Sequence, residues 1–377
     1  MNDETKATVI LKTANPRNFT IPDEDINNVQ CRWEKIFTIL GLFTQDKDSS
    51  INAFNTLSRD NLQQTQCLTH PPVLPSILWL MIVMELRDKD TITRLFDNIF
   101  QYQKWFVENR DPYKKGIISI FHPWETGREF SPDWTDALNN INLDKPYIRN
   151  PHLEDMRYLM IIEKMCELEW DNKKIYDEGI FNICDPTVQF IFVRSCKDLY
   201  KIAYYLNRTE TYKTLDNWID LYSFGSNYLW NTKLNAYSSL NLKTGQLFNG
   251  ISCGSMLYAY ADVGNNEQKE SMYSHSKRIL YYSNYGFPHC YSNKGDLQVK
   301  KYWKGPIWCI MNFMLVLGFK QGNQIYLSDK IKKNMKHIIE KNGFFEFINP
   351  DTGLCIGETK NYETAAIYLL FTTSTLE

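Results

Sequence analysis

No two cysteines in this 377-residue chain stand at Cys-x-x-Cys spacing, and the nine that occur are scattered and odd in number. A disulfide framework or a thiolate zinc site is therefore not expected; reduced thiols in a cytoplasmic protein are. The six histidines never fall at His-x-x-x-His spacing, so nothing calls for a catalytic metal, and no cofactor is expected. Charge of one sign is also lacking. A formal net charge of −2 gives no field for nucleic acid or an anionic membrane, which excludes both as expected partners. The apolar run from Val73 to Met84 is too short to span a bilayer, and the opening residues MNDETKATVI carry no signal-peptide core. No Gly/Ser-rich linker or charge block divides the chain, so residues 1–377 read as a single domain. The oligomeric state is not legible.

Aromatic residues are abundant: 23 Tyr, 21 Phe and 10 Trp. That excess serves core packing, and it equally serves a carbohydrate binder, which uses flat ring faces. Apolar residues recur at helical spacing over 33–43, 50–63, 75–87, 92–109, 152–169, 186–206, 209–229, 252–262, 266–280, 303–318, 325–341 and 361–372. Strands are few; Tyr237–Leu240 and Phe344–Ile348 read as short β segments. The fold class is all-α, and the rhythm of helix, loop and helix suggests an (α/α)6 toroid of six hairpins whose loops meet over a central small-molecule cavity. A two-domain helical array is the alternative.

Residues 122–134 read His-Pro-Trp-Glu-Thr-Gly-Arg-Glu-Phe-Ser-Pro-Asp-Trp. Glu125, Glu129 and Asp133 recur every four positions, yet Pro123, Gly127 and Pro132 prevent a continuous helix. Trp124 and Trp134 bracket the acids. Carboxylates on a stiff loop beside aromatic faces suit the cleavage of a glycosidic bond, where one acid donates a proton and flat rings hold the sugar. A surface loop with solvated acids and two core tryptophans is the plain alternative. Four further segments accompany this loop: Thr69-His70-Pro71-Pro72, Tyr302-Trp303-Lys304-Gly305-Pro306-Ile307-Trp308, Phe345-Glu346-Phe347-Ile348-Asn349-Pro350-Asp351-Thr352-Gly353, and Tyr362-Glu363-Thr364-Ala365-Ala366.

Taken in this order, the segments resemble the (α/α)6-barrel glycoside hydrolases of family 63, in the short form of mannosylglycerate and glucosylglycerate hydrolases. The family's Trp-Glu-Ser-Gly-x-Asp-Asn-Ser-Pro is matched by residues 124–132, its Tyr-Trp-Arg-Gly-Pro-Ile-Trp by 302–308, and its Glu-x-Tyr-x-Pro-x-Thr-Gly by 346–353. Fainter echoes lie at Leu11-Lys12 and Trp33-Glu34, so the likeness runs from about residue 8 to residue 372. The resemblance implies inverting hydrolysis of a small α-glucoside or α-mannoside, with Glu129 as general acid and Glu346 as general base. The two carboxyls of such a pair stand roughly 6.5–9.5 Å apart, leaving room for the attacking water.

The same resemblance implies substrate contacts at Trp33, Glu34, His70, His122, Trp124, Glu125, Arg128, Tyr302, Trp303, Lys304, Gly305 and Trp308. Lys304 replaces the family's Arg and offers a glycerate carboxylate a point charge rather than a fork. Arg128 is expected to pair with Glu125 or substrate, because pairing with Glu129 would hold that acid ionised. Glu129 and Glu34 each stand where relatives carry Asp, and Phe130 stands where they carry Asn. Asp133 and Asp136 are reserve acids. A catalytically impaired sugar-binding protein on the same barrel is the second reading. A sugar epimerase is a third, for which only His70 and His122 lie in motifs as bases.

Overall fold

Side-chain caps that satisfy orphaned backbone N–H groups set the starts of several helices. Asp88 accepts the Asp90 and Thr91 N–H groups at the start of one helix, and Asn265 and Gln268 form a reciprocal capping box at another. Asp185 caps a third, with Pro186 in the first turn where its missing N–H costs nothing. The computed structural model describes residues 2–13, 32–63, 68–141, 153–291 and 302–373. In chain order its helices are α1 (Asp3–Thr13), α2 (Arg32–Phe43), α3 (Lys47–Gln63), α4 (Leu74–Val83), α5 (Lys89–Asn109), α6 (Thr135–Asn139), α7 (Leu153–Glu167) and α8 (Asn172–Glu178). There follow α9 (Pro186–Tyr205), α10 (Thr209–Gly225), α11 (Cys253–Met256), α12 (Tyr258–Ala261), α13 (Asn266–Tyr282), α14 (Cys309–Gln321), α15 (Ile325–Asn342) and α16 (Tyr362–Thr372).

The helices are of two kinds. In α4, α9, α14 and α16 nearly every side is buried, as a helix apolar all round requires. In α5, α10, α13 and α15 a single buried stripe faces inward. The first kind, together with α2 and the short α12, pack in succession: α2 on α4, α4 on α9, α9 on α12, α12 on α14, α14 on α16, and α16 back on α2. The second kind lie outside them, with α5 on α4 and α9, α10 on α9, and α15 on α14 and α16. The protein is thus mostly helical.

Ten strands of two residues each punctuate the loops: β1 (Ser119–Ile120), β2 (Ile183–Cys184), β3 (Trp230–Asn231), β4 (Ala236–Tyr237), β5 (Leu240–Asn241), β6 (Ile251–Ser252), β7 (Cys290–Tyr291), β8 (Ile307–Trp308), β9 (Phe347–Ile348) and β10 (Cys355–Ile356) among the described residues. They form antiparallel sheets in the orders β1-β2-β5 and β10-β9-β8, with β3-β4 and β6-β7 as pairs. Two-residue strands are too short to show an alternation of polar and apolar residues, which is why the sequence revealed so few of them.

Two helical expectations change. The helix expected over 252–262 is broken between Met256 and Tyr258, and the one expected over 303–318 begins only at Cys309, because residues 302–308 form a 3-10 turn and β8. Among the described residues no helix is long and apolar enough to cross a membrane. The α2–α16 contact is tight: a Cβ at Gly41 would overlap Ala366. Gly41→Ala should therefore destabilise the fold by roughly 1–3 kcal/mol through overpacking. Urea unfolding reads this directly, and an unchanged midpoint would show that the two helices do not approach so closely.

Candidate active site

The 122–134 loop leaves β1 and is anchored before it reaches its acids. Glu125 is wholly buried, and its carboxylate takes both Arg110 guanidinium nitrogens, at 2.5 and 3.0 Å. It also accepts the Thr69 N–H at 3.0 Å, the Thr69 hydroxyl at 3.1 Å and the Phe121 N–H at 2.7 Å. The Arg110 guanidinium lies against the Phe121 ring, 4.2 Å from its centroid. Charge-assisted, bidentate pairs of this kind fix orientation as well as energy. Glu125 thereby ties the loop to the segment before α4, and its oxygens are taken up within the protein.

His122 is equally enclosed. Its Nδ1 accepts the Trp124 N–H at 3.1 Å, and its Nε2–H donates to the Tyr158 carbonyl at 3.2 Å. Burial pushes its pKa down to about 3, so the ring is neutral. His70 is buried too, with Nδ1–H donating to the Pro71 carbonyl at 2.8 Å and its ring 5.7 Å from that of Tyr102. Gly127 has φ +65°, and its open face is covered by the Trp33 indole, which a Cβ would strike.

Arg128 was expected to meet Glu125 or substrate; it instead pairs with Asp133, at 2.8 Å, and with Asp185. Burial alone would lower the guanidinium's pKa, but the charges of Asp185 and Asp133 outweigh it and hold it above its usual value. Ser131 donates to Asp133 at 2.9 Å, and its hydroxyl lies 2.8 Å from His289 Nε2, while His289 Nδ1 lies 2.9 Å from Cys253 Sγ. This network occupies Asp133, so it does not stand in reserve as an acid. Asp136 is exposed on α6.

Glu129 sits between these two ion-pair clusters. Its backbone carbonyl is clamped by the Trp134 indole N–H at 3.1 Å and by the Tyr158 hydroxyl. Phe130 stacks on Tyr158 with centroids 5.8 Å apart, which fixes the next residue as well. The Glu129 side chain is 4% exposed, and its Oε2 is buried with no hydrogen-bond partner among the described residues. Burial raises its pKa from 4.5 to about 7; hydrogen bonds from its own N–H and from Trp303 oppose the rise, and the charge of Glu346 adds to it.

Trp303 leads from one acid to the other. Its ring stacks on Trp308 at 4.0 Å and 7°, and Trp308 lies 5.1 Å from Phe347, with which it pairs across β8 and β9. Glu346, half-buried, precedes Phe347 and packs on Gly357, whose φ of +89° and missing Cβ leave room for its carboxyl. Trp33 tilts against Trp303 at 6.5 Å, and His289 meets the same ring edge-on at 5.1 Å. Gly305 is buried in the turn and Lys304 half-buried beside it. The indole nitrogens of Trp33 and Trp124 are buried without hydrogen-bond partners among the described residues. The side chains of Glu34 and Tyr302 lie outside the described residues, as does that of Lys12.

Several residues of this site were not foreseen. Arg110, Asp185, Cys253 and His289 come from four separate segments with no shared motif. Glu363 lay inside a singled-out segment, and its signal was a lone acid opening the apolar run Thr364–Phe371. It is buried, accepts the Ile310 N–H at 3.1 Å, and burial followed by the charge of Glu346 pushes its pKa up to about 8. No group of three or more His, Cys, Asp or Glu side chains able to hold a metal occurs among the described residues.

Residues 29–363 match the family described as the mannosylglycerate hydrolase MGH1-like glycoside hydrolase domain. The mannosylglycerate hydrolase of one Thermus thermophilus strain is 25% identical over 415 residues, covering 97% of this chain and 100% of that protein. Mannosylglycerate hydrolase MGH1 of Selaginella moellendorffii is 24% identical, covering 96% of this chain and 83% of its own length. A crystal structure of the GH63 mannosylglycerate hydrolase of a second T. thermophilus strain, with glucose, superposes with a TM-score of 0.86 at 23% identity, covering 98% of this chain and all of that one. That last likeness is one of fold.

The Arg110–Glu125 pair generates a stability prediction. Removing one partner strands a buried charge, so Arg110→Leu should cost about 3–5 kcal/mol. Replacing both, as Arg110→Leu with Glu125→Leu, should recover part of that loss in denaturant melts. A single variant that melts with the wild type would contradict the buried pairing.

Proposed function

The chain belongs to the mannosylglycerate hydrolase MGH1-like glycoside hydrolase family, and on that premise we propose that it hydrolyses mannosylglycerate or a closely similar small α-glycoside with inversion at the anomeric carbon. Membership makes the chain a glycosidase; the substrate, the stereochemistry and the residue roles are our reading. The observation that carries it is the state of Glu129: a buried carboxyl with one oxygen unpartnered among the described residues and a pKa raised to about 7. Such a group keeps its proton near neutral pH and can give it away, as a general acid must.

In this reading Glu129 protonates the glycosidic oxygen as the bond to the anomeric carbon breaks. Glu346 takes a proton from the water that attacks the opposite face, so the sugar leaves with inverted configuration and the aglycone leaves as an alcohol. The aglycone would be glycerate, whose carboxylate Lys304 can meet as a point charge. The Trp33 and Trp124 indole N–H groups are free to donate to sugar hydroxyls, and Trp303 orients Glu129. Glu125, His122 and Arg128 act as braces, because the Glu125 oxygens, the His122 ring nitrogens and the two terminal guanidinium nitrogens of Arg128 are engaged within the protein. The closed succession α2, α4, α9, α12, α14 and α16, with partners outside, supports an (α/α)6 toroid formed by one domain.

Two outcomes follow with mannosylglycerate as substrate. Glu129→Gln and Glu346→Gln should each lower kcat by at least about a thousandfold with an unchanged melting temperature. Turnover within tenfold of wild type in both would sink the assignment, and saturable binding without turnover by the wild type would favour the impaired sugar-binding reading. Because Glu129 works while protonated, the rate should fall as pH rises through about 7. A rate flat from pH 6 to 9 would contradict that role.

A further inference from the structure

The first turn of α16 is bolted to the segment that carries Glu346. Thr364 Oγ1 donates to the Phe345 carbonyl at 2.6 Å, and the Asn361 N–H donates to the Phe344 carbonyl at 3.2 Å. Between these anchors sits Glu363, 5% exposed, with one carboxyl oxygen held by the Ile310 N–H at the start of α14. Ile310 lies two residues beyond Trp308, which pairs with Phe347. The Glu363 carboxyl is thus enclosed by the same segments that fix Glu346, close enough for the Glu346 charge to act on it.

Among the described residues no cation acts on Glu363; the one charge that does is Glu346. Cys309 on α14 feels the charge of Glu363 and that of Cys355 on β10, and burial pushes both thiols up, so both stay uncharged at neutral pH. None of the described residues of α1, α2 or α15, which also pack on α16, adds a charge that acts on it. A buried carboxyl without a cation takes up a proton rather than bear an uncompensated charge. Burial, then the Glu346 charge, push Glu363 up to about 8, in accord with that argument.

Resting on the reading of Glu346 as general base, we propose that Glu363 is a positioning residue whose carboxyl O–H donates a hydrogen bond to the Glu346 carboxylate, orienting it toward the attacking water and keeping it ionised. Glu363 touches no reacting atom. Its effect passes through Glu346, because a donor to a carboxylate favours the ionised form. The resulting pair of carboxyls carries one proton and one charge, a state that a single buried acid beside a base does not provide.

Two variants test this. Glu363→Met removes the donor at similar volume; it should lower kcat about tenfold, leave KM within twofold, and move the acid limb of the kcat/KM profile up by about one pH unit, the size of one hydrogen bond to a charged group. Glu363→Gln keeps a donor and should restore kcat to within threefold of wild type and return the acid limb to its place. A Met variant with an unshifted profile, or a Gln variant no better than Met, would overturn the proposal. So would a Gln variant whose acid limb falls below wild type, since that is the signature of an ionised Glu363. Thermal melts exclude misfolding as the cause.

A second readout separates this proposal from the activity reading. Infrared difference spectra of the full chain at pH 6 should show a protonated-carboxyl C=O band that vanishes in Glu363→Gln and shifts in Glu346→Gln. If that band behaves so while mannosylglycerate is not turned over, the pairing stands and the substrate reading fails. If the band is absent, the pairing fails whatever the activity.

Discussion

Everything distinctive about this site depends on keeping one carboxyl group dry. Glu129 cannot escape to water, because its carbonyl is clamped by Trp134 and Tyr158 and the following Phe130 is stacked in place. Its Oε2 has no hydrogen-bond partner among the described residues, and burial outweighs the opposing charge of Arg128, so its pKa is raised to about 7. The surrounding architecture serves that condition. Helices buried on nearly all sides pack in succession beneath it, and the loop itself is pinned by the Arg110–Glu125 and Arg128–Asp133–Asp185 clusters.

The same loop region buries other acids and treats them differently. Glu125 is matched to Arg110, and Asp133 and Asp185 share Arg128, so each of these clusters carries a local cation. Burying such pairs contributes little net stability, but breaking one is costly, which makes them firm geometric anchors. Among the described residues neither Glu129 nor Glu363 forms an ion pair, and their pKa values rise to about 7 and about 8. A division between cation-matched braces and proton-holding acids therefore runs through a short stretch of chain. Sequence spacing alone, with Glu125, Glu129 and Asp133 four apart, gives no hint of it.

What was legible follows from this contrast. Amphipathic and wholly apolar helices declare themselves by periodicity, and α5, α9 and α15 do so clearly. The segments at 122–134, 302–308 and 346–353 were visible as motifs, and the structure brings them together through Trp303, Trp308 and Phe347. Pairing partners were not legible, since Arg110, Asp185 and His289 are distant in sequence and join the site only through the fold. Arg128 illustrates the limit: acids of its own loop offered the obvious partners, and while Asp133 is one of them, Asp185, 57 residues on, is the other. Two-residue strands escaped notice because pairing between distant segments creates them. Glu363 was overlooked because an acid in a first helical turn ordinarily caps or faces solvent, and burial there comes from α14 and the Glu346 segment closing over it.

The central claim is that Glu129 holds a proton at neutral pH through burial, with Glu346 contributing to the shift. Carbon-13 NMR titration of the glutamate side-chain carboxyls, with Glu129 assigned by its absence in Glu129→Gln, tests it most directly. The account predicts a midpoint of about 7 in the wild type, and a lower one in Glu346→Gln, where the neighbouring negative charge is gone. A midpoint near 4.5, unchanged by Glu346→Gln, would contradict it.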